Sequence, residues 1–352
     1  MKILHIIDKK YFETHRKTIS ELLLSLSYYK VEQKIYTSEE TELFWLKDVC
    51  PIERWKSNKA KLKSLSNRFK TWLLFSSFSP DIVIKWGKDA RDIMQNYSGV
   101  QISYMNEVEN LKSFENTDYI ITNNETVLSY VKANGYSGAR SFLLPSFVQE
   151  YQNTSEITKK EYFLPEKAKI VYLGGTFKKN IGYERAFDAL AVVNETYFFI
   201  AGSGPDEEYI KDCALKVNLK ARSRFIPEPE KSLRALALAE FAFLPFDDAE
   251  LSKYLMEAMF AKKMVVCVKN SFSEDFIVDG KTGFFVPKND MYLIKKKLKE
   301  ILSLSEEEKQ VIVNNAFDMV KNYTSSMVIP GYIQMFEELV KKYKSRKNLL
   351  NN

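Results

Sequence analysis

Short apolar runs alternate with longer stretches of helical period along most of the chain. The run Lys2–Asp8 (KILHIID) has the length and continuity of a strand buried on both faces, and Thr18–Leu26 carries leucines at helical spacing. Further strands are expected at Lys34–Tyr36, Asp81–Ile84, Val100–Tyr104, Tyr119–Thr122 and Ser141–Leu144. A second series follows at Ile170–Leu173, Tyr197–Ala201, Arg224–Ile226, Phe241–Leu244 and Met264–Val268, separated by helices such as Lys231–Glu240 and Leu255–Ala261. Alternation of this kind predicts an α/β protein with parallel sheets covered by helices.

Between the two series the chain turns polar. The stretch after Pro145, Gln149–Glu156, lacks apolar periodicity and reads as a linker. Expected domains are therefore 1–150 and 151–320. A C-terminal helix over 321–345 would pack back on the first domain, and a polar tail follows at 346–352. Within Ser305–Lys344 the helical pattern is interrupted at Pro330-Gly331, and Lys344–Asn352 reads as frayed.

Length and composition fit this plan. A chain of 352 residues is long for one core and suits two. Hydrophobic residues are 45% and charged residues 28%, globular proportions. The net charge of +6, from 52 basic and 46 acidic residues, favours anionic ligands without naming one. Cys50, Cys213 and Cys267 are far apart, so neither a disulfide framework nor a zinc site is suggested. The apolar start is too short for a signal peptide and no stretch has the length of a membrane span, so a cytoplasmic location is expected. Sequons such as Asn124-Glu125-Thr126 then carry no weight.

Candidate chemistry gathers in the second half. Leu173-Gly-Gly-Thr-Phe-Lys-Lys179 follows a strand and offers glycines for close backbone approach and two cations, parts that a nucleotide diphosphate requires. The same parts also make an ordinary strand-to-helix turn with solvated lysines. Ile200-Ala-Gly-Ser-Gly-Pro-Asp206 repeats the strand–loop–helix arrangement without the third glycine of a dinucleotide fingerprint. Gly280-Lys281-Thr282 is not an ATPase loop, because Asp275 stands where its first glycine is required. Pro245–Met259 places a polar loop before an amphipathic helix, whose N–H groups suit a phosphate and whose Glu257 suits a ribose diol or a salt bridge.

Taken in order, these pieces resemble the retaining glycosyltransferases of the GT-B fold, and the second half is similar to glycosyltransferase family 4. Gly174-Gly175 with the lysines resembles the family's first phosphate loop, and Ala201–Asp206 its second glycine turn. Leu244-Pro245 resembles the end of the next strand, Leu255–Met259 (LMEAM) the family's LEAMA helix, and Val278–Val286 (VDGKTGFFV) its DGxTGxLV signature. The resemblance implies two Rossmann-like domains facing each other across a cleft, with the acceptor on the first and the donor on the second. It also implies transfer with retention, no metal and no cofactor beyond a UDP- or GDP-linked sugar as substrate. The implied donor contacts are Gly174, Gly175, Thr176, Lys178, Lys179, Gly202, Gly204, Phe225, Ile226, Leu251, Ser252, Lys253 and Glu257. Catalytic roles fall to Glu250, Lys179 and His15, and Asn106 and Glu107 lie on the acceptor side.

Several positions depart from the family pattern. Six residues separate Glu250 from Glu257 where the family has seven, so the strict first position is Ala249. Gly175 replaces the usual arginine, and Lys262-Lys263-Met264 stands in place of a small residue and a proline. The first loop, Asp8–His15, has none of the family's glycines, and Met105-Asn106-Glu107 stands where a histidine is often found. His5 lies inside a strand and reads as a core residue, whereas His15 reads as facing the expected cleft.

Arg54–Phe75 combines cations with Trp55, Leu62, Leu65, Phe69, Trp72 and Leu73 at helical spacing. Such a helix either docks on an anionic membrane surface on the inner face of the cell membrane or packs its aromatic stripe on the first sheet. Nucleic acid is not expected, since no binding module accompanies the basic run. The leading expectation is a transferase acting on a glycan or lipid-linked acceptor in surface polysaccharide, lipopolysaccharide or glycoconjugate synthesis. The alternatives are a non-catalytic GT-B subunit that binds a partner transferase or a glycan, and a nucleotide-sugar epimerase.

Overall fold

The computed structural model describes residues 1–350 except 39–40, 42, 44–45, 56–75, 92, 94–96, 98, 137, 139, 151–157, 192, 194–195, 227–228 and 249. The chain divides into two compact units, Met1–Pro145 with Ser325–Asn352, and Ser146–Thr324.

The first unit is built on a seven-stranded sheet of order β3-β2-β1-β4-β5-β6-β7, with every neighbouring pair parallel. Its strands are β1 (Lys2–Ile7), β2 (Glu32–Ser38), β3 (Ile52–Trp55), β4 (Ile82–Trp86), β5 (Val100–Tyr104), β6 (Tyr119–Thr122) and β7 (Ser141–Leu143). The second unit has a six-stranded parallel sheet, β10-β9-β8-β11-β12-β13. Its strands are β8 (Lys169–Gly174), β9 (Thr196–Ala201), β10 (Ser223–Ile226), β11 (Phe241–Leu244), β12 (Met264–Val268) and β13 (Phe284–Val286).

Alternate side chains of the second sheet enter two separate cores, as the two-residue period of a strand requires. Val171, Leu173, Phe198, Ile200, Phe243 and Val266 join the core under the Tyr183–Ala191, Glu207–Lys216 and Met291–Leu302 helices. Ile170, Tyr172, Phe199, Ala201, Leu244 and Val265 join the core on the other face, which the Leu251–Phe260 helix closes. Covering on both faces explains why these strands read as unbroken apolar runs.

Three expectations from the sequence change. Arg54 and Trp55 lie on β3, pairing with Thr37 and Ser38, so they do not begin a helix. The rest of the basic stretch and most of the expected linker lie outside the described residues. The break at Pro330-Gly331 is absent, and one helix runs Ser325–Leu350, through the segment expected to fray. Pro330 has no N–H for the Ser326 carbonyl, and the Tyr29 hydroxyl supplies that bond instead at 3.2 Å. The same helix is tied to the first unit by Tyr332 Oη, which donates to the Pro145 carbonyl at 2.6 Å, and by an ion pair between Lys344 and Asp81 at 3.1 Å.

His5 sits in the middle of β1, fully buried. Its Nε2 faces Gln33 Oε1 at 3.1 Å and its Nδ1 accepts from Trp86 Nε1 at 3.3 Å. Burial pulls its pKa down from 6.5 to about 3, the Gln33 bond offsetting part of that shift.

Two outcomes follow from these contacts. In urea denaturation, Tyr29→Phe costs about 0.5–1 kcal/mol, and the cost disappears when combined with Pro330→Ala, whose new N–H takes the Ser326 carbonyl. The neutral His5 ring contributes its full stabilisation above pH 6.5 and loses it as the pH falls towards about 3, so an imidazole NMR titration shows no midpoint for His5 near 6.5.

Candidate functional site

In an open parallel sheet, the loops diverge where the strand order reverses, leaving a crevice at the carboxyl ends of two central strands. In the second unit this point lies between β8 and β11, and in the first between β1 and β4.

The loop after β8 is Gly175–Asn180. The backbone N–H groups of its first five residues are already bonded: Gly175 to the Ala201 carbonyl (3.1 Å), Thr176 to Asp248 Oδ2 (2.7 Å), Phe177 to the Ser203 carbonyl (3.0 Å), Lys178 to the Thr176 carbonyl (2.9 Å) and Lys179 to Asp206 Oδ2 (2.9 Å). The amides that the sequence offered for phosphate binding therefore shape the loop, and its lysine side chains are left to meet an anion. Lys179 pairs with Asp206 at 3.4 Å and lies over the Tyr209 ring at 4.8 Å. Lys178 is exposed and makes no ion pair among the described residues.

The glycines serve the same lacing. A Cβ on Gly202 (φ +146°) would collide with the Gly175 carbonyl, and one on Gly204 would lie 2.7 Å from Phe177 N, so both glycines let the second loop lie against the first. At Gly175 a Cβ would sit 3.0 Å from Phe246 and from the Tyr183 hydroxyl, a tight fit in which those side chains would have to give way slightly to the arginine of the family pattern. Ile226 is buried and its carbonyl accepts from Gly202 N at 3.1 Å; Phe225 is half-buried, edge-on to Phe177.

Sequence reasoning missed the residue that joins this loop to the next. Asp248 is buried, and its carboxylate accepts from Thr176 N, from Thr176 Oγ1 at 3.1 Å and from Glu250 N at 3.0 Å. Burial pushes its pKa up, while those bonds and the nearby Lys178 pull it back. Nothing in Pro245-Phe-Asp-Asp distinguishes Asp248 from a solvated loop residue; its neighbour Asp247 is exposed and paired with Lys288.

Glu250 precedes the Leu251–Phe260 helix, and Leu251, Ser252, Lys253 and Glu257 are all buried on it. Lys253 Nζ donates to the Phe147 carbonyl at 2.9 Å and lies 3.9 Å over the Phe147 ring, while Ser252 Oγ is 3.5 Å from Ser146 Oγ. These two side chains thus hold the start of the second unit. Ala249 lies outside the described residues.

In the first unit, Asp8 caps the Lys9–Thr14 helix through Lys10 N (2.8 Å) and reaches Asp89 N at 3.0 Å. Gly87 (φ +90°) allows that helix to lie close, since a Cβ there would be 2.6 Å from Tyr11 Cβ. The glycine needed at this crossing belongs to the end of β4, not to the first loop. His15 is buried at the junction of two helices, stacked on Tyr11 at 4.0 Å, with Nδ1 2.9 Å from Thr14 Oγ1. Asn106 is buried beyond β5, and Glu107 beside it is exposed.

Residues 154–319 match the family described as Glycosyl transferases group 1. The two parallel-sheet Rossmann-like units have the fold of GT-B glycosyltransferase structures. The lipopolysaccharide core biosynthesis glycosyltransferase LpsE of Rhizobium meliloti (strain 1021) is 20% identical over 258 residues, 73% of this chain and 75% of LpsE. A glycosyltransferase from Rickettsia africae ESF-5 shares the fold with a TM-score of 0.75 and 14% identity, over 97% of this chain and 98% of that one. HepE of Anabaena, solved with UDP and glucose, does so with a TM-score of 0.76 and 13% identity, over 96% and 99%. No helix among the described residues is long and apolar enough to cross a membrane.

Because Asp248 closes three bonds in the interior, Asp248→Ala is expected to cost about 3 kcal/mol in denaturation and Asp247→Ala less than about 1. Equal effects would mean that the loop does not depend on the buried carboxylate.

Proposed function

We propose that the chain transfers a sugar from a UDP- or GDP-linked donor to a glycan or lipid-linked acceptor, with retention of anomeric configuration and without a metal. The observation that carries this reading is the exposed Lys178, beside the paired Lys179, at the β8–β11 divergence of a group 1 glycosyltransferase segment. A diphosphate leaving group gains negative charge as the glycosidic bond breaks, and cations already in place there lower the barrier. Glu257 is assigned to the ribose hydroxyls and Glu250 to the transferred sugar. The similarity to LpsE supports a place in lipopolysaccharide or related surface-glycan assembly, and the UDP and glucose held by HepE support a nucleotide-sugar donor.

Glycine at position 175 favours a second reading, a GT-B subunit that binds sugar nucleotide or glycan without transfer, because one cation of the family pattern is missing there. Product analysis separates the two: an active enzyme releases nucleoside diphosphate and forms an α-glycoside from an α-linked donor, and Glu257→Ala abolishes both.

Calorimetry against UDP-, GDP- and CMP-sugars tests the primary claim, and absence of binding to all of them overturns it. Lys178→Ala is expected to weaken donor binding about 10- to 100-fold, the range for losing one charge-assisted contact. Lys179→Ala weakens it less, since Asp206 already offsets that charge.

A further inference from the structure

The second unit contains four arginines, and three of them are engaged by the fold. Arg222 donates to the Val193 and Thr196 carbonyls at 2.7 and 3.3 Å, Arg224 donates to the Tyr162 carbonyl at 2.8 Å, and Arg234 pairs with Glu161 at 3.6 Å. Arg185 makes no hydrogen bond or ion pair among the described residues. The carboxylates nearby have other partners: Asp206 holds Lys179, Asp247 holds Lys288, Glu184 accepts from the Tyr209 hydroxyl at 2.8 Å, and Asp248 accepts from Thr176 and Glu250. Asp188, one turn further along the same helix, is exposed and makes no ion pair with Arg185. The fold therefore leaves this guanidinium without a counter-charge.

Its position gives that charge a use. The side chain folds back over Gly182, where a Cβ would lie 2.9 Å from Arg185 Nη2 and 2.7 Å from the Pro245 carbonyl oxygen. Gly182 ends the loop that leaves β8 and Pro245 directly follows β11, so the guanidinium stands at the divergence of those two strands. Only Nη2 is closed off from solvent. Nε and Nη1 are not, and the residue is half-buried, so one edge of the guanidinium fork remains accessible. Arg185 also lies in the first turn of the Tyr183–Ala191 helix, where the helix dipole already places positive charge and an added cation is unfavourable unless an anion joins it. That same turn carries Tyr183, whose hydroxyl narrows the space beside Gly175. One turn of helix thus crowds the position at which the family pattern has arginine and brings an unpaired arginine of its own.

We propose that Arg185 is a donor-binding residue that meets a phosphate of the nucleoside diphosphate, standing in for the cation that position 175 lacks. The inference rests on the donor reading above and extends the diphosphate contacts to a residue outside the glycine loops and their lysines.

The test uses the full chain, calorimetry with UDP and GDP, and thermal melting of each ligand-free variant. The nucleotide that the wild-type chain binds is expected to bind Arg185→Gln about 10- to 100-fold more weakly, the range for losing one charge-assisted contact. Arg185→Lys keeps the charge without the planar fork and falls between the two. Lys220→Gln removes an exposed cation elsewhere in the second unit and leaves the affinity unchanged. Salt weakens binding less steeply in Arg185→Gln than in the wild-type chain or Lys220→Gln. The ligand-free melting temperature of Arg185→Gln stays level or rises, because an unpaired cation leaves the first turn of a helix. Wild-type affinity in Arg185→Gln, an equal loss in Lys220→Gln, or a ligand-free melting temperature lowered by Arg185→Gln (the mark of a guanidinium that serves the fold) would each overturn the proposal. Two further outcomes keep the claims apart. If the wild-type chain binds neither nucleotide, the donor reading falls and this inference falls with it; if it binds one and Arg185→Gln matches it, the donor reading stands and this inference alone falls.

Discussion

Every neighbouring strand pair in both sheets runs parallel, and the placement of the candidate chemistry follows from that constraint. Parallel strands need crossovers, the crossovers cover both faces with helices, and only the strand ends remain for polar work. With β1–β4 and β8–β11 as the points where the order reverses, Asp8, Asn106 and Glu107 collect at one set of carboxyl ends. Gly174, Lys178 and Asp248 collect at the other.

The two sets differ in how complete they are. At the end of β8 the loop amides, the glycines and Asp248 satisfy one another, so the loop is held by the fold itself. A loop that presents one lysine with no ion pair among the described residues and one offset by Asp206 suits a site whose task is to receive charge as it develops. At the end of β5 the opposite holds. Asn106 and the Tyr11 hydroxyl are buried but not satisfied, and the structure there carries a cost that packing does not explain.

The departures from the family pattern take on physical meaning in the same terms. Gly175 is packed closely against Phe246 and Tyr183, so the position that carries arginine in the family pattern is tight here. The first loop lacks glycines; the close approach there is allowed by Gly87 at the end of β4, and the Asp8 side chain caps the helix that follows. Lys253 and Ser252, which follow Glu250 on the family's helix, also fasten Phe147 and Ser146.

Sequence by itself determined the parallel α/β architecture, most of the strands and the order of the group 1 motifs. Apolar runs and glycine loops are local signals, and each strand buried on both faces writes itself as an unbroken run. It did not reveal β3, where Arg54 and Trp55 looked helical, nor the continuity of the Ser325–Leu350 helix across Pro330, where the Ser326 carbonyl is met by a hydroxyl almost three hundred residues away at Tyr29. Nor did it distinguish Asp248 from Asp247, or show that the loop amides are already engaged. Those outcomes belong to tertiary structure alone. Whether a carboxylate, an amide or an N–H is free depends on which distant group the fold brings within 3 Å, and neighbouring residues in the sequence carry no record of that.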